Sequence, residues 1–502
     1  MAGTIALVGT LTEALSSVVH PEIPDAVAML QVRGGLGENQ PAEWLRPRFA
    51  GELLYSWPYP GESGQLAAPF AARHRALIQA AREFDLIELD VDCDLSPELL
   101  AAIPAHRRLI SWRGKGRDLA GLRSIFARMS AVRARFYSIV TQGSYTNDGV
   151  IPLLLLKELG RNDVIAFCEG AAAFWSRILS PQFGARLLFG QLEQNPVSQS
   201  GEPSIRQLME DYGFPDVHPV RQLYGMVGNR VFQSPSPRLH NAGYRSLGHS
   251  ALYLPFHVEC FEDFWQETIQ SAALERLGLS LRGLTIVSPY KEAAAAAAAR
   301  CSPIAGRAGA SNLFLRKNGC WEAHTTDPES IAGIAGNGHR PSKPLHAAVV
   351  GCGGAGRAIA AALQQSGAHV TLVNRGHERG ELAVKLLSLP FVPLSDFTAG
   401  GFSLLVNATP VGRDDDCMPF AIDSLGSSAT VVDLAYGARP TPLATGVAAR
   451  GSSVVDGYDV LVNQVRRQFQ MMTGLEMPPD IGRHTATPQT FLQSACERQR
   501  IA

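Results

Sequence analysis

The sequence predicts an α/β protein with three parts in series: an N-terminal (β/α)8 barrel, an α/β substrate domain and a Rossmann-type nucleotide-binding domain. Three observations carry this reading. The chain has 502 residues, and at about 150 residues per domain that allows two to four domains. Residues 1 to about 217 alternate eight short apolar runs with longer amphipathic ones. Residues 345 to 375 read as strand, glycine loop, helix and strand.

The eight runs are "TIALVGTL", "AVAMLQV", "LLYSWPY", "DLIELDV", "RRLISWR", "RFYSIVTQ", "VIAFCEG" and "ARLLFGQLE". Stretches such as "RHRALIQAAREF" and "LAGLRSIFARMSAVRA" between them have helical spacing. Near-continuous apolar strands suit a parallel sheet covered on both faces. A count of eight favours a closed barrel over an open sheet. The barrel is assigned residues 1–217. "YGFPDVHPVRQ" (212–222), with two prolines and a glycine, reads as a linker. The second α/β domain is assigned 222–340. Within it "KEAAAAAAAR" (291–300) reads as a helix, because alanine has the highest helix propensity. "GNGHRPSKP" (336–344) is a second linker, and the nucleotide-binding domain is assigned 341–455. The last helix, "VLVNQVRRQFQMMTG", lies in a 456–490 segment expected to pack back on the second domain.

Composition narrows the function class. The chain is 46% hydrophobic and 18% charged, with net charge −1, so nothing points to nucleic acid or an anionic membrane. The 13 histidines show no metal-ligand spacing, and no metal is expected. The eight cysteines form no CxxC, which suggests reduced thiols in a cytoplasmic protein. The opening "MAGTIALVGTLTEAL" has no basic run and turns polar at Thr10, so it reads as a strand and not a signal peptide. No apolar run approaches the roughly 20 residues of a membrane helix.

In "VVGCGGAGRAIAAAL" the glycines Gly351, Gly353, Gly354 and Gly356 follow a strand and open a helix. Glycine permits the tight turn and lets backbone N–H groups approach a pyrophosphate at the helix N-terminus. The next strand, "AHVTLVNR", ends in Asn374-Arg375, where an NAD site has an acidic residue. Arg375, with Arg379 four residues on, suits a 2′-phosphate through charge-assisted hydrogen bonds. The expected cofactor is therefore NADP.

"GNRVFQSPSPRLHN" (228–241), "SPYKE" (288–292), "GASN" (309–312), "TTDPES" (325–330), "GCGGAGR", "NRGHER", "NATPVG" (407–412) and "GYDVLVNQ" (457–464) follow in that order. Together they resemble the shikimate dehydrogenase family, over residues 222 to about 480. The resemblance implies NADPH-dependent, reversible reduction of 3-dehydroshikimate to shikimate. It implies that Lys291 and Asp327 carry proton transfer at the carbonyl. It also implies that Ser234, Ser236, Asn312, Tyr436 and Gln464 bind the substrate. Gly351, Gly353, Gly354, Ala355, Gly356, Asn374, Arg375, Arg379, Thr409 and Gly457 correspond to cofactor positions. Three positions depart from the family pattern: Val287 for a threonine, Thr325 for an asparagine and Gln233 for a histidine. Quinate is the competing substrate.

"SRILSPQFGARLLFGQLEQNPVSQSGEPSIRQLMEDYGF" (176–214) resembles the last part of a type I 3-dehydroquinate dehydratase. A dehydratase barrel ahead of a shikimate dehydrogenase is similar to the plant-type bifunctional enzymes. The family mechanism implied by the resemblance uses an imine-forming lysine and a proton-shuttling histidine. Here Ser138 takes the lysine's place and Arg113 the histidine's. Gln31 replaces a substrate arginine and Glu202 a glutamine, whereas Arg177 and Ser198 match. Only Lys115 and Lys157 occur in the first 217 residues. Lys157 reads as a solvated helix charge, and Lys115 follows the fifth strand near the barrel mouth. The expectation is a working dehydrogenase fused to a barrel without the dehydratase lysine. The alternatives are a fully bifunctional enzyme using Lys115, a quinate dehydrogenase, or a non-enzymatic shikimate/NADP sensor.

Overall fold

A computed structural model describes residues 4–11, 23–34, 42–57, 70–116, 118–192, 201–331 and 345–487. Their apolar runs fold as the sequence predicts, into β1 (Ala6–Leu11), β2 (Val27–Arg33), β3 (Glu52–Ser56), β4 (Leu86–Asp90), β5 (Arg108–Lys115), β6 (Phe136–Gln142), β7 (Val164–Glu169) and β8 (Leu187–Gln191). All neighbours in the order β7-β6-β5-β4-β3-β2-β1-β8 are parallel. β1 pairs with both β2 and β8, so the first and last strands are neighbours and the eight-stranded sheet is nearly closed. Helices follow the strands, among them Phe70–Ala80, Leu119–Ser130, Val150–Leu159 and Ile205–Tyr212.

The described chain divides into two compact units. The first contains Met1–Leu223, Arg230–Ser234 and Ser250–Ser280; the second contains Tyr224–Asn229, Pro235–His249 and Leu281–Ala502. The first unit thus takes in a segment from beyond the barrel, including a strand at Ala251–His257. Lys157, expected as a purely solvated charge, donates Nζ to the Leu277 carbonyl at 2.9 Å within this unit.

In the second unit, β9 (Gln222–Gly228), β11 (Ser280–Ile286), β13 (Leu313–Lys317), β14 (Cys320–His324) and β12 (Arg300–Cys301) are neighbours in that order, β10 being Ala251–His257. The alanine run is helical only over Lys291–Ala297. Ala298 turns extended (ψ 142°), and the chain enters β12, which pairs with β14. Sheet pairing here overrides the high helix propensity of Ala298 and Ala299.

The nucleotide-binding sheet is parallel, in the order β17 (Phe391–Pro393), β16 (His369–Asn374), β15 (His346–Val350), β18 (Leu404–Asn407), β19 (Thr430–Asp433), β20 (Ser453–Val455). β15 and β16 are buried by helices Gly354–Gln365 and His377–Leu387 in a core that includes Val349, Ile359, Leu372 and Leu387. Strand order reverses at β15, so the crevice beyond its C-terminal end is the place where such sheets bind ligands. The long helix Gly457–Thr473 meets residues of the substrate segment: the Tyr224 hydroxyl donates to the Met472 carbonyl at 3.0 Å and Thr285 Oγ1 to Gln468 Oε1 at 3.3 Å.

Candidate active site

Lys291 opens the helix Lys291–Ala297, and Asp327 starts a short 3-10 turn after β14. The two meet. Lys291 Nζ donates to both Asp327 oxygens at 2.9 Å, with the side chains 14% and 3% exposed. A carboxylate this buried needs compensating donors. Asp327 Oδ1 also accepts from Asn312 Nδ2 at 3.0 Å and from Gln464 Nε2 at 3.2 Å. Asp327 Oδ2 accepts from Thr325 Oγ1 at 3.4 Å, at the position where the family pattern has an asparagine. Four of the residues singled out from sequence therefore form one hydrogen-bonded cluster.

Three others stand on other elements. Tyr436 packs on Tyr458 (ring centroids 5.4 Å) and lies under Arg413 (5.6 Å), and no hydrogen bond joins it to Lys291 or Asp327 among the described residues. Ser236 is buried at the start of helix Ser236–Ser246, and Ser234 is partly buried two residues earlier.

A second layer holds the cluster, and the sequence did not reveal it. Thr326 N donates to Asn312 Oδ1 at 2.8 Å, and Gln468 Nε2 donates to Thr326 Oγ1 at 3.0 Å. Gln468 stands one turn after Gln464, and that spacing of four was the available signal. It also bonds His240, a fully buried ring stacked on Phe469. Burial drives the His240 imidazole down to about 3, against the opposing pull of the Gln468 hydrogen bond.

The glycine loop leaves β15 for the helix Gly354–Gln365. Gly351 has φ +107°, a conformation costly for any side chain. A Cβ on Gly356 would lie 1.8 Å from the Gly351 carbonyl oxygen. Asn374 Oδ1 accepts from Cys352 N at 3.1 Å and so braces the loop from β16. Thr409 borders it, its methyl 2.9 Å from where a Gly351 Cβ would stand. Thr409 is fixed by Asn407 Oδ1, which accepts from its hydroxyl at 2.7 Å. Asn407 in turn donates to buried Asp433, whose carboxyl burial pushes up. Ala355 lies in the first turn, and Gly457 admits the Ala435 carbonyl, 2.2 Å from where its Cβ would be. Arg375 and Arg379 are exposed and make no ion pair among the described residues. A glycine-rich cradle with two unengaged guanidiniums at its rim fits a dinucleotide carrying a 2′-phosphate. Among the described residues no cluster of His, Cys, Asp and Glu could hold a metal ion.

In the barrel, two contacts skip a strand and so mark the concave face. Gln31 Nε2 donates to Glu88 Oε2 at 3.3 Å, from β2 to β4, and Arg113 pairs with Glu169, from β5 to β7. Register puts Ser138 level with Ser111 and Ile165 on that same face, 7% exposed. Gln31 also bonds Thr10 and Ser56. Arg177 lies 3.6 Å from both Glu169 and Glu202, and 4.3 Å over the Phe167 ring. Burial raises the Glu169 carboxyl, but Arg113 and Arg177 bring it below its ordinary value. Burial lowers the Arg177 guanidinium. Lys115 ends β5, exposed, beside a groove of about 1030 Å³ that Gln142, Asp148, Glu169 and Arg276 also line. Ser198 lies outside the described residues.

Comparison with known proteins accounts for both parts. The model of the shikimate dehydrogenase substrate binding domain matches residues 226–314, and that of type I 3-dehydroquinase matches 55–218. The shikimate dehydrogenase (NADP(+)) of Halobacterium salinarum is 35% identical over 265 residues, 51% of this chain and 95% of that protein. The chain belongs to the shikimate dehydrogenase family. The chloroplastic bifunctional 3-dehydroquinate dehydratase/shikimate dehydrogenase of Arabidopsis thaliana is 28% identical over 455 residues, 85% of this chain and 74% of that one. A shikimate 5-dehydrogenase from Thermus thermophilus, solved with NADP(H) and shikimate, is 31% identical with a TM-score of 0.46, over 53% of this chain and 98% of that one.

Within this shikimate dehydrogenase unit, buried His240 predicts a pH dependence. Its folded-state affinity for protons is depressed, so the unfolded chain binds the extra proton and stability falls as pH drops from about 6.5 towards 3. Urea unfolding at pH 5 and pH 7 is expected to show a difference of about 1 kcal/mol or more from this group, largely absent in His240→Gln.

Proposed function

We propose that this chain is an NADP-dependent shikimate dehydrogenase, reversibly reducing 3-dehydroshikimate to shikimate in aromatic amino-acid biosynthesis. We propose further that its barrel keeps the dehydratase fold without the imine chemistry. The observation that carries the first part is the buried Lys291–Asp327 pair, held by Asn312 and Gln464. An ammonium has three N–H donors, and Lys291 directs them at both oxygens of the Asp327 carboxylate. Turned to a ketone oxygen, it stabilises the negative charge that grows there and passes on a proton, with Asp327 fixing its aim. The Ser234 and Ser236 hydroxyls, the amides of Asn312 and Gln464, and the Tyr436 hydroxyl are the proposed holders of the substrate. Gly351, Gly353, Gly354, Ala355 and Gly356 would hold the pyrophosphate, with Asn374, Thr409 and Gly457 shaping the loop. Arg375 and Arg379 would take the 2′-phosphate. NADPH, when bound, supplies the hydride.

For the barrel, the support is Ser138 on the concave face, where a hydroxyl cannot form an imine. Arg113, always protonated, is paired with Glu169 and is a poor base. Arg177 is neutralised by Glu169 and Glu202.

The free thiols Cys93, Cys168, Cys260, Cys301, Cys320, Cys352 and Cys417 support a reducing, cytoplasmic setting. No helix among the described residues is long and apolar enough to cross a membrane. With a net charge of −1, the proposed partners are small molecules and neither nucleic acid nor membrane.

The full chain is expected to oxidise shikimate with NADP, followed by NADPH absorbance, with quinate as a parallel substrate. Lys291→Ala should lower kcat by about 100-fold or more; absence of turnover by the parent chain would falsify the reading. Arg375→Ser should raise the KM for NADP about tenfold and leave that for shikimate unchanged. For the barrel, incubation with 3-dehydroquinate and borohydride should leave the protein mass unchanged. A covalent adduct on Lys115 would show that the imine chemistry has moved there.

A further inference from the structure

A buried guanidinium stands where the glycine loop meets the lysine. Arg357, in the first turn of helix Gly354–Gln365, is 1% exposed. Its Nη1 donates to the Cys352 carbonyl at 3.1 Å, inside the glycine loop. Nε donates to the Ala308 carbonyl at 2.7 Å, at the C-terminal end of helix Pro303–Ala308. Nη2 donates to Glu292 Oε1 at 2.8 Å, next to Lys291 in the chain. One planar fork thus ties three segments that are 5, 49 and 65 residues away from it in sequence.

The same junction is closed by direct packing. A Cβ on Gly354 would stand 2.9 Å from Ala310 Cβ, 3.1 Å from Lys291 Cβ and 3.3 Å from Lys291 Cδ. The glycine loop therefore rests on the stem of the lysine itself. Ser311 N donates to the Lys291 carbonyl at 2.8 Å, which fastens the same point to the chain entering Asn312. Gly351 and Gly356 are explained by backbone geometry within the loop. Gly354 is explained by Ala310 and the lysine stem together.

The arrangement is costly. Burying a charge costs desolvation even when every nitrogen is hydrogen-bonded, and an apolar side chain would fill the same space at lower cost. The arginine does something an apolar residue cannot: it fixes the loop, the lysine's helix and the approach to Asn312 at set distances from one another.

We infer that Arg357 is a positioning residue that couples the glycine loop to Lys291. Lys291 takes its reactive position only while the loop keeps its shape, and the arginine carries that dependence. The inference rests on the shikimate dehydrogenase reading of the site.

The test is Arg357→Lys in the full chain, assayed by NADP-linked shikimate oxidation well below its unfolding midpoint. An ammonium keeps the charge but cannot span Cys352, Ala308 and Glu292 together. The expected result is a fall in kcat of about tenfold or more, with the KM for NADP changed by less than about threefold. In a Lys291→Ala background the same substitution should alter the residual rate by less than about twofold, because the residue it acts through is gone. Glu292→Gln, at a half-exposed position, is the milder variant and should lower kcat a few-fold with an unchanged unfolding midpoint. The inference is overturned if Arg357→Lys and Glu292→Gln keep the parental kcat. It is equally overturned if Arg357→Lys lowers the residual rate of Lys291→Ala by the same factor as in the parent. A parent chain without turnover sinks the proposed reaction and this inference together, whereas turnover with indifferent variants sinks this inference alone.

Discussion

Asp327 is a carboxylate almost wholly removed from water, and the chemistry of the second unit is arranged around that fact. Its oxygens accept from Lys291, Asn312, Gln464 and Thr325, which belong to a helix start, a strand entry, the last long helix and its own turn. Each of these elements must arrive at the right place for the charge to be tolerated, since leaving a buried carboxylate uncompensated costs far more than any one hydrogen bond contributes. The long helix Gly457–Thr473 brings Gln464 and Gln468 to residues more than a hundred positions earlier. The site is therefore a product of the finished fold and cannot form piecemeal.

The nucleotide side has a different logic. Its loop is shaped by what is missing: side chains at Gly351 and Gly356 that the backbone could not accommodate. Support comes from beneath, through Asn374 under Cys352 and Asp433 under Asn407. Both braces stand at C-terminal strand ends beside the point where strand order reverses. Rigid strands thus hold a loop that has few side chains of its own to hold it.

How much of this is legible in the sequence depends on the range of the interactions. The eight barrel strands are legible because apolar periodicity is local, and so is the glycine loop between its strand and helix. Lys291, Asp327, Asn312 and Gln464 are found through ordered motifs, and their convergence on one carboxylate is not visible in spacing. Arg357 stands within "GCGGAGR" without any local sign of its role, because its partners Ala308 and Glu292 lie in other segments. Thr326 and Gln468 escape for the same reason. The alanine run reads as too long a helix because propensity cannot see β14, the strand whose pairing pulls the chain into β12. Lys157 reads as solvated because nothing local announces the Leu277 carbonyl.

The barrel interior is tied together by its polar side chains. Ser138 lies in a packed face, level with Ser111 and Ile165, while Arg113 and Arg177 are each engaged by acidic side chains. Gln31 is likewise committed to Thr10, Ser56 and Glu88. A lysine at position 138 would stand in a buried face whose charged side chains are already paired with one another. Engagements of this kind make the interior a unit: a change at any one of these positions strips the others of a partner, so its chemistry cannot be altered one residue at a time.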